Sequence, residues 1–149
     1  MPNSFTQLNY HVVFNVNDHY NLLQEPKRAK IYTYLVGLCA KQKCFVIAIN
    51  GGNDHVHMLI HAHSGIAVDE LMKFIKGNCS RWINQEGLCM GKFSWQAGYG
   101  AFTVSQSMLD TVKSYIQNQE EHHKRFSFRD EFKLLLEKHG VPYDERYLP

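Results

Sequence analysis

The sequence predicts an α+β protein with a ferredoxin-like (split β-α-β) sandwich, in which an antiparallel sheet carries helices on one face and C-terminal helices follow. Two observations lead to this class. Four segments have the apolar pattern of strands, and the segments between and after them have apolar residues at helical spacing. Their order is strand, helix, strand, strand, helix, strand and then helices, which is the split β-α-β order. We expect one face of the sheet to pack on the two crossover helices and the other to be free for a functional site.

The first half of the chain supplies three of the four predicted strands. Residues 7–16 alternate between apolar and polar side chains, as in a half-buried strand. Pro26 then opens the first helix. Residues 44–50 form a continuous apolar run, which indicates a central strand. A Gly-Gly turn at residues 51 and 52 leads into a third strand at about 55–63.

The second half supplies the remaining elements. A second helix is predicted over about 67–86, and the segment AFTVS at 101–105 predicts the fourth strand. A third helix is expected over about 107–125. The last helix, about 129–138, begins near Ser127, whose hydroxyl suits an N-cap. These elements predict a helix-flanked sheet followed by a helical tail.

Length and composition indicate one soluble globular domain. The chain has 149 residues, 44% of them hydrophobic and 20% charged, which excludes a disordered protein. We expect a single domain over 1–149, with its core at about 5–126 and its C-terminal tail at about 127–149. The sequence has no apolar window of about 18 residues and no secretory leader, and its four cysteines have no Cys-x-x-Cys spacing. The expectation is a cytoplasmic protein with no membrane partner.

The predicted third strand carries an unusual set of histidines. His55, His57, His61 and His63 all fall at odd positions, so that alternation places them on one face of the sheet. Two imidazoles at i and i+2 can converge on one ion, but four in a row span too far to share it. The pair His55 and His57, next to the glycine turn, is the better candidate for metal ligands. For His61 and His63 the favoured interpretation is that they are ordinary polar residues.

A second motif lies in the third predicted helix, where residues 115–119 read YIQNQ. Tyr115 and Gln119 are four residues apart and share one helix face. They flank the apolar stripe, which suits side chains that face a cleft. His122 shares the face of Tyr115, whereas His123 does not. The motif offers a third metal ligand, Gln119, and a nucleophile, Tyr115, although Tyr115 could also be an ordinary half-buried aromatic.

Together and in this order, these motifs resemble the single-tyrosine HUH transposases of small bacterial insertion sequences and the related repeat-associated tyrosine transposases. The segments YHVVF, HVHMLI, LMKFIKG, WQAGYGAFTVS and YIQNQEEHH carry the resemblance. It implies that His55, His57 and Gln119 bind a divalent cation and that Tyr115 attacks a DNA phosphodiester to form a 5′-phosphotyrosine. Mixed nitrogen and oxygen ligands suit Mn²⁺ or, less naturally, Mg²⁺, and they would also bind Zn²⁺.

The resemblance also implies the partners. These are single-stranded DNA with hairpin ends and a second copy of the chain, in a homodimer whose active sites are completed between subunits. The expected compartment is the cytoplasm of a prokaryotic cell.

Candidate DNA contacts lie in and after the second predicted helix. Lys73, Lys76, Arg81 and Lys92 can contact phosphates, and Trp95 can stack on a base. A solvated helix face is the plainer interpretation of the basic residues. The net charge of +2 is too small to indicate a nucleic-acid binder by itself.

Two other functions stay open from the residues alone. The chain could be a non-catalytic nucleic-acid-binding module of ferredoxin-like fold, descended from a transposase. It could also be a histidine-metal hydrolase that acts on a small phosphoester without a covalent tyrosine intermediate.

Overall fold

The structure is a computed structural model that describes residues 4–17 and 23–149. Four strands form one sheet, and each neighbouring pair is antiparallel: β1 (Asn9–Asn15), β2 (Phe45–Gly51), β3 (His55–His61) and β4 (Gly100–Val104). The strand order is β2-β3-β1-β4. The helices are α1 (Lys27–Lys41), α2 (Val68–Gln85), α3 (Leu109–Gln117), α4 (Gln119–His122) and α5 (Phe128–Lys138), with two short 3₁₀ turns at Gln106–Met108 and Glu145–Tyr147. The predicted α+β class and antiparallel sheet are confirmed.

The first face of the sheet packs on α1 and α2 and forms the main core. The even-numbered side chains of β1 and β3 point to this face because side chains alternate along a strand. Val12, Phe14, Val56, Met58 and Ile60 are at most 1% exposed. They pack on the apolar stripes of the two helices, which include Ile31, Leu35, Leu38, Leu71, Met72 and Ile75. The alternation that predicted these strands thus also places the core.

The second face of the sheet is covered, so the prediction of a free face is wrong. Val13 of β1 packs in one cluster with Phe128 and Leu136 of α5. Leu59 of β3 packs in another with Ile116 of α3. These apolar residues interrupt the polar positions of the odd-numbered face, and burying them against the C-terminal helices removes their surface from water. The polar residues between them, including His55 and His57, are buried with them.

The third predicted helix is divided in the structure. α3 ends at Gln117 and α4 begins at Gln119, with Asn118 at φ −96° and ψ 24° between them. The prediction of one continuous helix over 107–125 is therefore wrong. The break is local: the Asn118 N–H still donates to the Ser114 carbonyl and the His122 N–H to the Asn118 carbonyl, so that Tyr115 and Gln119 still face one side chain, Glu131.

α5 begins and ends where the sequence indicates. The Ser127 hydroxyl accepts a hydrogen bond from the Asp130 backbone N–H at 3.1 Å, as an N-cap does. After the helix, Gly140 has φ 67°, a conformation that favours glycine. In the described ranges, no helix has the length and apolar character that a membrane crossing requires.

Candidate functional site

Four side chains from three parts of the fold form a cluster that could hold a metal ion. They are His55 and His57 of β3, His123 just after α4, and Glu131 of α5, and their ligand atoms all lie within 4.8 Å of one another. Glu131 Oε1 lies 2.9 Å from His57 Nε2, 3.1 Å from His123 Nε2 and 3.6 Å from His55 Nε2. One carboxylate oxygen is thus common to three imidazoles.

Gln119 lies inside this cluster. Its Oε1 is 3.0 Å from His55 Nε2 and 3.0 Å from His123 Nε2, and its Nε2 donates a hydrogen bond to Glu131 Oε2 at 2.9 Å. The side chain is fully buried. The structure therefore brings together the three ligands predicted from the sequence and adds His123 and Glu131 to them.

The start of β3 holds the two histidine rings in fixed orientations. A Cβ at Gly51 would lie 2.1 Å from the His55 carbonyl oxygen, so this close turn requires glycine. His55 Nδ1 lies 2.7 Å from Asp54 Oδ1, and His57 Nδ1 lies 2.8 Å from His11 Nε2. These partners leave both Nε2 atoms facing the cluster, as metal-binding histidines require.

The environment sets the protonation states of the cluster. Burial lowers the pKa of His57, which favours the neutral ring. Burial opposes ionisation of Glu131, but hydrogen bonds from His123 and His57 outweigh it and hold its pKa below the usual range. The hydrogen bond to Glu131 in turn raises the pKa of His123. The shifts of His57 and Glu131 favour the forms that bind metals, a neutral imidazole and an ionised carboxylate, whereas the His123 ring must lose its proton to bind one.

The donor set fits a divalent cation. Ligand bonds of about 2.0–2.2 Å place donors on one ion at most roughly 4.4 Å apart. The ligand atoms here lie within 4.8 Å of one another, so a small inward shift of the side chains would let all of them reach one ion. Three imidazole nitrogens, one carboxylate oxygen and one amide oxygen converge with most of their side chains buried. Such a mixed set suits Mn²⁺, Mg²⁺ or Zn²⁺.

Tyr115 of α3 borders the cluster. Its hydroxyl donates a hydrogen bond to Glu131 Oε2, the oxygen that also accepts from Gln119. Its ring centroid lies 5.9 Å from that of His57 and 4.6 Å from that of His122. Burial and the contact with Glu131 raise the pKa of Tyr115 above its usual value. The phenol is therefore held protonated beside the candidate ligands.

Sequence reasoning missed two members of the cluster. His123 does not share the helix face of Tyr115, but it lies four residues after Gln119 and contacts Gln119 Oε1 at 3.0 Å, so that spacing counted from Gln119 points to it. Glu131 lies in the buried stripe of α5, three residues after Phe128 and four before Leu135. A lone acidic residue in an apolar stripe needs a buried partner, so the position of Glu131 in this stripe is the sequence feature that indicates a buried polar site.

His61, the last residue of β3, and His63, two residues further on, lie outside the cluster. His61 Nδ1 is 3.0 Å from Asn9 Oδ1, and His63 Nδ1 accepts a hydrogen bond from the Gly65 backbone N–H at 2.8 Å. The four histidines are thus divided into a cluster pair and two residues with local partners.

The residues predicted to contact DNA occupy different environments. Lys73 is exposed and lies 3.7 Å from Asp69, and Arg81 and Lys92 are also exposed. The Lys76 ammonium group donates to the Gln96 carbonyl at 2.8 Å, and burial lowers its pKa to about 8.

Trp95 lies in the main core, where it is 8% exposed. Its ring centroid is 4.8 Å from that of Phe14 and 4.9 Å from that of Phe93. Lys73, Arg81 and Lys92 are thus accessible to a partner, whereas Lys76 is half-buried and Trp95 is part of the core.

Comparison with known proteins agrees with the fold and the motifs. Residues 4–119 match the family described as "Transposase IS200 like". The chain is 27% identical over 119 residues to the ISDra2 transposase TnpA of Deinococcus radiodurans, which covers 76% of this chain and 84% of that protein. The family match ends at Gln119, so His123, Glu131 and all of α5 lie beyond it.

Two solved structures share the fold. One is a candidate transposase from Deinococcus radiodurans, with a TM-score of 0.65 at 21% identity, covering 80% of this chain and 95% of that one. The other is a REP-associated tyrosine transposase bound to a REP hairpin, with a TM-score of 0.62 at 12% identity, covering 83% of this chain and 73% of that one.

Proposed function

Because the chain belongs to the IS200-like transposase family, we propose that it cuts and rejoins single-stranded DNA through a covalent bond to Tyr115. The observation that carries this proposal is the position of the Tyr115 hydroxyl, which shares the Glu131 carboxylate with the candidate metal ligands. A phenol placed this way can reach a phosphate that is bound at the same centre. The proposal goes beyond family membership in naming the nucleophile and the residues around it.

His55, His57 and Gln119 would hold the divalent cation, Mg²⁺ or Mn²⁺, with His123 and Glu131 as further ligands. When bound, the cation polarises the scissile phosphate and stabilises the charge that develops during an in-line displacement. Asp54 and His11 keep the two β3 histidines oriented through their Nδ1 atoms. Burial of His55, His57 and Gln119 excludes water that would otherwise compete for the same positions.

Tyr115 would act as the nucleophile. Its Oη forms a bond to phosphorus, and the bond from phosphorus to the 3′ oxygen of the preceding nucleotide breaks. The phenol proton is released to solvent, because the Glu131 carboxylate that accepts its hydrogen bond has a pKa below the usual range, and the leaving 3′ oxygen takes up a proton from solvent. The products are a 5′-phosphotyrosine and a free 3′-hydroxyl. Attack by a 3′-hydroxyl from another end reverses these bond changes and rejoins the strand without ATP.

The contacts within one chain bear on how the site is completed. The sequence resemblance implies a homodimer that exchanges the tyrosine helix between subunits. Here Tyr115 and Gln119 contact Glu131 of the same chain, and Gln119 contacts His55 of the same chain. Dimer formation and exchange of the tyrosine helix stay separate predictions.

A mixing experiment separates the two arrangements. His57→Ala and Tyr115→Phe each remove one half of the site, so a mixture regains covalent activity only if subunits exchange α3. With a centre completed within one chain, the mixture stays as inactive as either variant alone. Recovery to about a quarter or more of the wild-type level would contradict that arrangement.

The proposed substrate is a single strand that carries hairpin ends. One relative of the same fold is bound to a REP hairpin, and the exposed basic residues Lys73, Arg81 and Lys92 can contact phosphates without reading sequence. Such a substrate would be met in the cytoplasm of a prokaryotic cell. Because the net charge is only +2, attraction to a phosphate backbone depends on such local basic residues.

A pool of hairpin oligonucleotides with randomised single-stranded flanks tests the proposal. With Mn²⁺ or Mg²⁺, the wild-type protein should form a protein–DNA adduct that survives denaturation and disappears with a chelator. Tyr115→Phe should form none, while Tyr147→Phe, which alters a tyrosine that is 81% exposed, should behave as wild type. DNA that is bound but intact would instead support the non-catalytic binding module. Turnover of a small phosphoester without any adduct would support the hydrolase.

A further inference from the structure

A cavity of about 600 Å³ lies between β4, α3 and α5 and extends to Tyr115 and Glu131. Ligand sites commonly have volumes of about 300–1,000 Å³. The cavity therefore has room for more than water, and one end of it is the candidate nucleophile. The family match ends at Gln119, whereas the wall formed by α5 lies after that residue.

The lining combines apolar, aromatic and hydrogen-bonding groups. The apolar wall comes from β4, the following turn and the two helices, and consists of Val104, Met108, Val112, Leu134 and Leu135. Two rings, His122 and Phe126, also line it, and Phe126 is 46% exposed. Ser105 and Thr111 also line it and carry hydroxyl groups, which can donate and accept hydrogen bonds. This combination suits a flat, partly apolar ligand with polar edges.

Positive charge lies at the α5 side of the same cavity. Lys138 lines it and is exposed. An ammonium group at this position favours an anion, such as a phosphate of a strand that enters the cavity. The cavity thus offers packing surface for a base, hydrogen-bonding groups for its edges, and a cation for its phosphate.

We propose that this cavity holds one unpaired nucleotide, the one that directly adjoins the phosphate attacked by Tyr115. The proposal rests on the proposed function, since it takes Tyr115 as the nucleophile. A phosphodiester placed at the Tyr115 hydroxyl has a nucleotide on each side, and the cavity is the space that opens beside that hydroxyl. Single-stranded bases are recognised by packing on apolar and aromatic side chains and by hydrogen bonds to their edges.

The consequence is a base preference next to the cut. In this arrangement, the hydroxyl groups of Ser105 and Thr111 contact the edges of the base, so that cleavage depends on which base adjoins the phosphate. The hairpin then selects the DNA by shape, and the cavity sets the position of the cut within the single-stranded flank.

Filling the cavity tests the proposal. Thr111→Trp places a large ring in the cavity from the exposed face of α3, and Leu134→Trp does so from α5, where the side chain is 52% exposed. Ser114→Trp is the matched control, because it adds the same ring to an exposed position of α3 outside the cavity lining. Thermal unfolding of each variant shows whether it folds, and two independent filling variants keep the test decisive.

The probe is a set of hairpin oligonucleotides with 2-aminopurine at successive positions of the single-stranded flank. On binding to the wild type and to Ser114→Trp, one position should change fluorescence, and an abasic site there should weaken binding by at least about tenfold. Both filling variants should lose this response. A response that is the same in the filling variants, or no responding position in the wild type, overturns the proposal.

Adduct formation measured in the same samples separates this proposal from the proposed function. A responding position without any adduct supports the nucleotide site and contradicts catalysis by Tyr115. An adduct that forms equally well in Thr111→Trp, Leu134→Trp and the wild type supports catalysis and overturns the nucleotide site.

Discussion

Tyr115 donates its hydroxyl hydrogen to Glu131, which lies 16 residues further along the chain. The same carboxylate is 2.9 Å from His57 Nε2. One side chain of α5 therefore joins the candidate nucleophile to the candidate metal ligands. Because α5 lies beyond the part of the chain that matches the family, this link is a property of the C-terminal helix of this protein.

Replacing Glu131 should weaken metal binding. Glu131→Gln keeps the shape of the side chain but removes its negative charge, and we expect the affinity for Mn²⁺ to fall by at least about tenfold. Isothermal titration calorimetry on protein freed of metal measures this affinity. Asp130→Asn removes the same charge from an exposed neighbour and should leave the affinity within about twofold. Equal affinity in Glu131→Gln and the wild type would exclude Glu131 as a ligand.

Metal binding should stabilise the fold through the β3 histidines. At a cation concentration about 100 times Kd, the free energy of unfolding rises by about 2.7 kcal/mol, which raises Tm by roughly 5–10 °C for a chain of this size. His57→Ala should abolish this rise. His63→Ala, which alters an exposed histidine outside the cluster, should keep it. A rise that survives in His57→Ala would place the bound cation elsewhere.

The packing of α5 on the sheet should dominate the stability of the C-terminal region. Leu136 is 7% exposed and packs with Val13 and Phe128, so Leu136→Ala should lower the free energy of unfolding by about 2–4 kcal/mol. Leu134 on the same helix is 52% exposed, and Leu134→Ala should change it by less than about 0.5 kcal/mol. Urea unfolding measures both. Similar losses in the two variants would argue against the described packing.

Much of the fold follows from alternation and helical spacing. The even-numbered residues of β1 and β3 are apolar, and they are the ones that pack on α1 and α2. The pair Tyr115 and Gln119 was placed by helical spacing, and both side chains contact Glu131. Local periodicity could predict these features because alternation acts within each strand, and because helical hydrogen bonds on both sides of Asn118 keep the spacing from Tyr115 to Gln119.

The remaining features depend on how distant elements pack. His123 contacts Gln119, four residues before it, but its contact with Glu131 at 3.1 Å depends on how α5 packs. Glu131 joins the cluster because α5 folds back over the sheet, a contact made 74 residues from His57. Trp95 was expected at the DNA, but it packs between Phe14 and Phe93. Periodicity within one element cannot give these relationships.

Exposed basic residues of α2 should contribute to DNA affinity without sequence preference. The double variant Lys73→Gln, Arg81→Gln should weaken binding to all single strands alike. It should also reduce the slope of log K against log salt by about 0.7 for each lost phosphate contact. Fluorescence anisotropy at several salt concentrations measures this slope. Lys30→Gln with Lys41→Gln removes the same charge from exposed positions of α1, and an equal effect there would indicate a general charge effect.

The central claim is that Tyr115 becomes covalently attached to DNA, and peptide mapping of the adduct tests it most directly. The adduct is formed with a hairpin oligonucleotide and Mn²⁺, digested with a nuclease and a protease, and sequenced by mass spectrometry. The account predicts a nucleotide 5′-phosphate on Tyr115 in the wild-type protein and in Tyr147→Phe. A nucleotide on any other residue, or an adduct that persists in Tyr115→Phe, would contradict it.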